Sequence, residues 1–120
     1  DVMLDVAGKV TFNVTGSYNI QQIYYGQAAI NNIPILNFKT VKNGSDQIGP
    51  TSTTRFKSNN SLERHRIEIN SLIDVIAGSY YHFWVQNPTS GAAGQLSNQV
   101  TDAAWGTDVP CAQLIITKLQ

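Results

Sequence analysis

Two histidines, two glutamates and one cysteine are the side chains of this 120-residue sequence best suited to acid–base, metal or nucleophilic chemistry. His65 and His82 each fall inside a run of alternating character, and neither belongs to a cluster of His, Cys and carboxylates at metal-ligand spacing. Glu63 and Glu68 are the only glutamates; five residues apart on an alternating strand, they face opposite sides and do not make a working carboxylate pair. Ser, His and Asp are all present, but no Gly-x-Ser-x-Gly elbow presents a serine as nucleophile. Gly91-Ala92-Ala93-Gly94 lacks the following Lys and Ser/Thr of a phosphate loop and reads as a connection. Cys111 has no partner in the chain, which excludes an internal disulfide and leaves the role of a small buried hydrophobe. The expectation is a protein that is not an enzyme and takes no cofactor or metal.

Side chains suited to binding are more abundant. Along Tyr80 to Val85, Tyr81, Phe83 and Val85 point one way while Tyr80, His82 and Trp84 point the other. Tyr80, His82, Trp84 and the second tryptophan, Trp105, form a candidate exposed aromatic patch. Arg55, Lys57, Arg64 and Arg66 are the one basic concentration; set around Phe56, they could meet an anionic glycan or lipopolysaccharide. The plainer reading pairs Arg64 and Arg66 with Glu63 and Glu68. Eight basic and eight acidic side chains cancel, which excludes a strongly basic nucleic-acid binder and an acidic tail. Three N-x-[ST] sequons, at Asn13, Asn43 and Asn59, are about what this composition yields by chance.

The elements that must carry these residues are strands. No window of eleven or more residues keeps an apolar stripe at helical spacing without Gly, Pro or Asn breaking it. Short runs of Val, Ile, Thr, Tyr and Phe recur between turn clusters, the pattern of an all-β sandwich or barrel. Strands are expected over Lys9 to Val14, Ser17 to Tyr25 and Ile33 to Val41, the last closed by the Asn43-Gly44 turn. From Ser45 to Asn60 the polar, Gly49-Pro50-punctuated sequence reads as a long loop with one short strand near Arg55 to Lys57. Arg64 to Asn70, Tyr80 to Gln86 and Cys111 to Leu119 read as strands, with a denser apolar patch at Leu72, Ile73, Val75 and Ile76. Thr89 to Asn98 reads as a loop and residues 102–106 as one helical turn, for about eight strands in a single domain over 1–120.

Two strands are apolar on both faces: Tyr80 to Val85, and Leu114 to Leu119, where Leu114 and Ile116 oppose Ile115 and Leu119. A sheet with one solvated face should show polar residues there, so these strands imply a second buried surface. In a chain this short, a subunit interface or an aromatic binding patch is the economical source of it. Only 13% of residues are charged, and Asn, Gln, Ser and Thr supply 39 of the 120. That surface is more like an exposed structural or adhesive domain than a cytosolic enzyme. No apolar run approaches the length needed to cross a bilayer, so no membrane insertion is expected.

Four segments in order resemble the C1q/tumour-necrosis-factor-like jelly roll. Thr15-Gly16-Ser17-Tyr18-Asn19-Ile20 resembles its Gly-x-Tyr lead into an inner-sheet strand, and Lys42-Asn43-Gly44 its Asn-Gly hairpin. Ile73-Asp74-Val75-Ile76-Ala77-Gly78-Ser79-Tyr80-Tyr81 resembles its strand, Gly turn and next strand, with Ser79 where an acid is common. Ala112-Gln113-Leu114-Ile115-Ile116 resembles the closing strand, so the likeness runs over about residues 9–119.

The resemblance implies an antiparallel two-sheet jelly-roll sandwich assembled as a homotrimer, with Tyr18, Ile23, Leu114 and Ile116 as candidate interface residues. It puts the Gly16–Tyr25 strand and the terminal strand in the inner sheet and Tyr80 to Val85 in the outer one. Tyr80, His82 and Trp84 then face outward, and cover by the Thr89–Asn98 loop is favoured over their being free to stack on a sugar. The functional expectation is a non-enzymatic trimeric head domain, the C-terminal part of a viral or bacteriophage spike or tail fibre. Such a domain sits on the virion surface or outside the cell and presents loops to a host receptor, protein or glycan. One alternative is a secreted lectin on the same fold, stacking a sugar on Trp84 or Trp105 beside Tyr80 and nearby amides. The other is a structural capsid component.

Overall fold

The computed structural model describes residues 2–27, 35–55, 64–86, 95–96 and 112–119. Every regular element among them is a strand: β1 (Val2–Leu4), β2 (Val10–Phe12), β3 (Gly16–Gln27), β4 (Ile35–Lys42), β5 (Asp46–Arg55), β6 (His65–Val75), β7 (Tyr80–Gln86), β8 (Gln95–Leu96) and β9 (Ala112–Lys118). They form two antiparallel sheets. One has the order β1-β2-β7-β4-β5; in the other, β3 pairs β6 along one edge and β9 followed by β8 along the other. Of the interlocked pairs, β4 with β5 is innermost in sequence, β3 with β6 encloses it, and β2 with β7 encloses both. Strands β3 and β9 share a sheet and β7 lies in the other, as the sequence reading expects.

Period-two alternation decides which side chains meet between the sheets. From the first sheet come Val10, Phe12, Leu36, Phe38 and Tyr81; from the second come Tyr18, Ile20, Tyr24, Ile67, Ile73 and Val75, all buried. At one end Phe12 sits edge-on to Tyr18 and Tyr81, with ring centroids 4.8 and 5.3 Å away. Leu114, Ile116 and Phe83 pack against that cluster. At the other end Tyr24 stacks on Phe38 at 4.7 Å. Each buried aromatic removes about 150–250 Å2 from water, so these rings dominate the core energetics. Two polar groups enter the interior with their bonds made: the Tyr24 hydroxyl donates to Gln22 Oε1 at 2.6 Å, and the Tyr18 hydroxyl to the Val14 carbonyl at 2.7 Å.

The main departure from the sequence expectation is β5. The polar segment after Asn43-Gly44 is a ten-residue strand, paired with β4 in the register Lys42 with Asp46 to Ile35 with Arg55. Threonines suit a pleated strand, and an edge position tolerates the missing N–H of Pro50, because among the described residues β5 has a partner on one side only. Between Phe38 and Thr40 the register shifts: Phe38 faces Ser52 while Thr40 faces Ile48, so Gly49-Pro50-Thr51 lies opposite the single residue Lys39. This bulge absorbs the Gly-Pro signal that reads as a loop from sequence alone. Strand β1 and the two-residue β8 are further additions. Asp5 Oδ1 accepts from the N–H groups of Ala7 and Lys9 at 2.9 and 3.0 Å, shaping the turn that folds β1 onto β2.

Candidate functional site

The outer face of the five-stranded sheet carries the chemistry. Residues directly opposite in an antiparallel pair share a face, so the register places side chains without further assumption. Tyr80 lies opposite Thr11, His82 opposite Val41, Trp84 opposite Lys39 and Gln86 opposite Asn37, all on the side away from the core. Their neighbours Tyr81, Phe83 and Val85 turn inward, which is the division the alternation predicts.

The row is ordered from one end to the other. Lys9 Nζ lies 4.6 Å from the centre of the Tyr80 ring, a cation–π contact. Asn43 holds the start of β7, its N–H donating to the Tyr80 carbonyl at 2.8 Å and its Oδ1 accepting from the Tyr80 N–H at 3.1 Å. The Tyr80 and His82 rings meet edge-on at 6.0 Å, and His82 leans on Trp84 at the same separation. Trp84 ends the row with 52% of its surface exposed.

Beside Trp84 the β5 bulge raises a wall. A cleft of about 500 Å3 is lined by Trp84, Asn37, Lys39, Gln47, Thr51 and Gln86, together with Phe38 and Val85. Gln47 Nε2 donates to the Gly49 carbonyl and to Thr51 Oγ1, both at 3.1 Å, and so spans the bulge. The Thr53 hydroxyl donates to Asn37 Oδ1 at 3.0 Å, which fixes that amide through its oxygen and leaves its NH2 as the donor end. Among the described lining residues the result is one aromatic wall facing uncharged amides and a hydroxyl, with a single ammonium. Sequence reasoning finds Trp84 and Tyr80 but misses Gln47 and Thr51, because the strand that carries them reads as a loop.

Other expectations need correction. Tyr18, Leu114 and Ile116 do not form a surface with Ile23. Tyr18 is 1% exposed inside the core, Leu114 and Ile116 pack on the same cluster, and Ile23 projects from the opposite face of β3. Arg55 closes β5 in the first sheet, whereas Arg66, opposite Tyr25, lies on the outer face of the second. Arg64 packs its guanidinium 4.5 Å from the Tyr25 ring centre. Arg66 pairs with Glu68 at 2.5 Å, the pairing the sequence suggests, while Gln21 and Asn70 donate to the same carboxylate. Hydrogen bonds from Asn70, Arg66 and Gln21 hold the Glu68 carboxyl below its ordinary range, and Glu68 keeps Arg66 firmly protonated. Lys57, Phe56, Glu63, Trp105, Cys111, residues 91–94 and the turn at 102–106 lie outside the described residues. Of the segment expected to cover the aromatic row, only Gln95 and Leu96 are placed. They pair with β3 in the opposite sheet, and the rest of that segment lies outside the described residues.

His82 has aromatic neighbours on its face, and among the described residues no three His, Cys, Asp or Glu side chains gather closely enough to hold a metal ion. Among the same residues no helix is long and apolar enough to cross a membrane. No protein-family model matches the chain, and no curated protein matches it.

Proposed function

We propose that this chain is a non-enzymatic head domain of a viral or bacteriophage spike or tail fibre. It assembles as a homotrimer and attaches to a receptor on the host surface. The observation that carries this reading is the nested pairing of β4 with β5, β3 with β6 and β2 with β7, distributed over two sheets. A long hairpin folded over on itself produces that pattern, which supports a jelly-roll reading of the two sheets.

The trimer contact in this reading is the outer face of the sheet formed by β6, β3 and β9. There Leu72 and Ile115 are 66% and 46% exposed on either side of β3, next to the amides and the compensated Arg66–Glu68 pair. Apolar side chains on the solvent side of a sheet are what a closed three-fold contact would cover. The opposite sheet then turns outward, with Tyr80, His82 and Trp84 on its free surface.

Light scattering on the purified chain tests the assembly. The expected mass is three times the 13.1 kDa of one chain. Leu72→Asp and Ile115→Asp, both at exposed positions, are expected to release folded monomers. A monomer of the unmodified chain at micromolar concentration would overturn the reading.

A further inference from the structure

We infer that the cleft beside Trp84 is a binding site for a neutral sugar, one pyranose unit of a host glycan, stacked on the indole and hydrogen-bonded by Asn37, Gln47 and Gln86. The inference rests on the head-domain reading in one respect: the five-stranded sheet must remain the free face of the assembly.

The chemistry of the lining selects the ligand class. A pyranose presents one apolar C–H face and a rim of hydroxyls. It therefore needs a flat ring on one side and groups that both donate and accept on the other. Trp84, half-exposed at the end of an ordered aromatic row, supplies the ring. Three primary amides line the cleft together with the Thr51 hydroxyl; with their internal bonds made, Asn37 presents its NH2 as a donor and Gln47 its Oε1 as an acceptor. No carboxylate is among the described lining residues and Lys39 already brings a positive charge, so the lining favours a neutral ligand over a metal cation. Lys39 is the one ammonium among the described lining residues, too little for a sulfated or polyanionic chain. A volume of about 500 Å3 lies within the usual range for small-ligand sites and accommodates one or two sugar rings.

The site is also largely built before any ligand arrives. Gln47 is held by Gly49 and Thr51, Asn37 by Thr53, and β7 by Asn43 at its start. Side chains already ordered lose little entropy on binding, which favours an open site of this kind. Affinity per site is expected to be about millimolar, the range in which three sites on one assembly still give firm attachment.

The test uses the full chain carrying Trp105→Phe, so that Trp84 is the sole indole. Its fluorescence is titrated with the methyl glycosides of glucose, galactose, mannose and N-acetylglucosamine, with sialic acid as the anionic comparator, and the same protein is applied to an array of neutral glycans. The expected result is a saturable response to at least one neutral sugar. Calorimetry or ligand-observed NMR then shows binding weakened at least tenfold in Asn37→Ala and Gln47→Ala, lost in Trp84→Ala, and partly kept in Trp84→Phe. Trp84→Ala is expected to melt close to the parent temperature, since the residue is outside the core. The absence of saturable binding to any neutral glycan, a response to sialic acid alone, or binding unmoved by Trp84→Ala each overturns the inference. The mass measurement separates the two proposals. A trimer without sugar binding leaves the head domain and removes this site, whereas a monomer that binds sugar leaves the site and removes the trimeric head.

Discussion

Tyr24 shows how much a single buried hydroxyl matters in a core this small. Burial pushes its phenol from 10.0 up to about 12, and its proton is donated to the buried Gln22 amide oxygen. The group resists ionisation only while the chain is folded. Above pH 10 the unfolded chain therefore gives up its proton first, and stability falls as the pH climbs toward 12. A displacement of that size corresponds to roughly 2–3 kcal/mol across the interval. Tyr81, also raised by burial, acts in the same direction. In Tyr24→Phe the alkaline loss is expected to shrink, while stability at neutral pH drops by about 1–3 kcal/mol because Gln22 Oε1 is left buried without its donor. Urea midpoints at neutral pH and in the alkaline interval read both effects. An alkaline limb unchanged from the parent would show that Tyr24 is not the group responsible.

At the scale of elements, the β4–β5 hairpin is the device that connects fold and site. Asn43 and Gly44 both have positive φ, 50° and 85°, as a tight turn matching the twist of the flanking strands requires. A Cβ on Gly44 would stand 3.1 Å from the Tyr80 hydroxyl and in a backbone region that L side chains avoid. Gly44→Ala is expected to cost about 1–2 kcal/mol. It should also shift the NMR signals of Tyr80 and His82, because the same turn pins the start of β7. Asn43→Ala removes the acceptor of the Tyr80 N–H and is expected to move the same signals. Changes confined to β4 and β5 would separate the turn from the aromatic row. Asn43-Gly44 is the element most readable in the sequence, and β5, directly after it in the chain, is the least. The alternation of β7 predicts its two faces residue by residue. Strand β5, by contrast, has no apolar alternation to announce it, and pairing with β4 extends Asp46-Gln47-Ile48 before the bulge at Gly49, whose φ is 70°.

For the whole molecule, the proposed division is one sheet turned toward an assembly axis and the other toward a host. The two functions then lie on opposite outer faces and do not share residues. A consequence can be measured. Ile115→Asp is expected to leave the affinity for a soluble neutral sugar unchanged while shortening retention on a glycan-coated surface by at least about tenfold, since three linked sites rebind where one does not. Surface plasmon resonance on a dense and a sparse glycan surface distinguishes the cases. Equal retention of parent and variant on the dense surface would show that attachment does not depend on assembly.

Sequence alone determined the all-β class, the turns at Asn43-Gly44 and Ala77-Gly78, and the division of Tyr80, His82 and Trp84 from Tyr81, Phe83 and Val85. These arise from period-two alternation and from backbone angles that few residues adopt, both of which are local properties. Tertiary structure decided the rest. Whether Leu114 and Ile116 face a neighbouring subunit or their own core depends on which sheet packs over them, and Phe12, Tyr81 and Ile73 occupy that space. The cleft beside Trp84 likewise exists only because a bulge between Phe38 and Thr40 brings Gln47 and Thr51 against residues of β4 and β7. Pairing register across strands far apart in the chain is an energy of the folded ensemble, and no short window of residues encodes it.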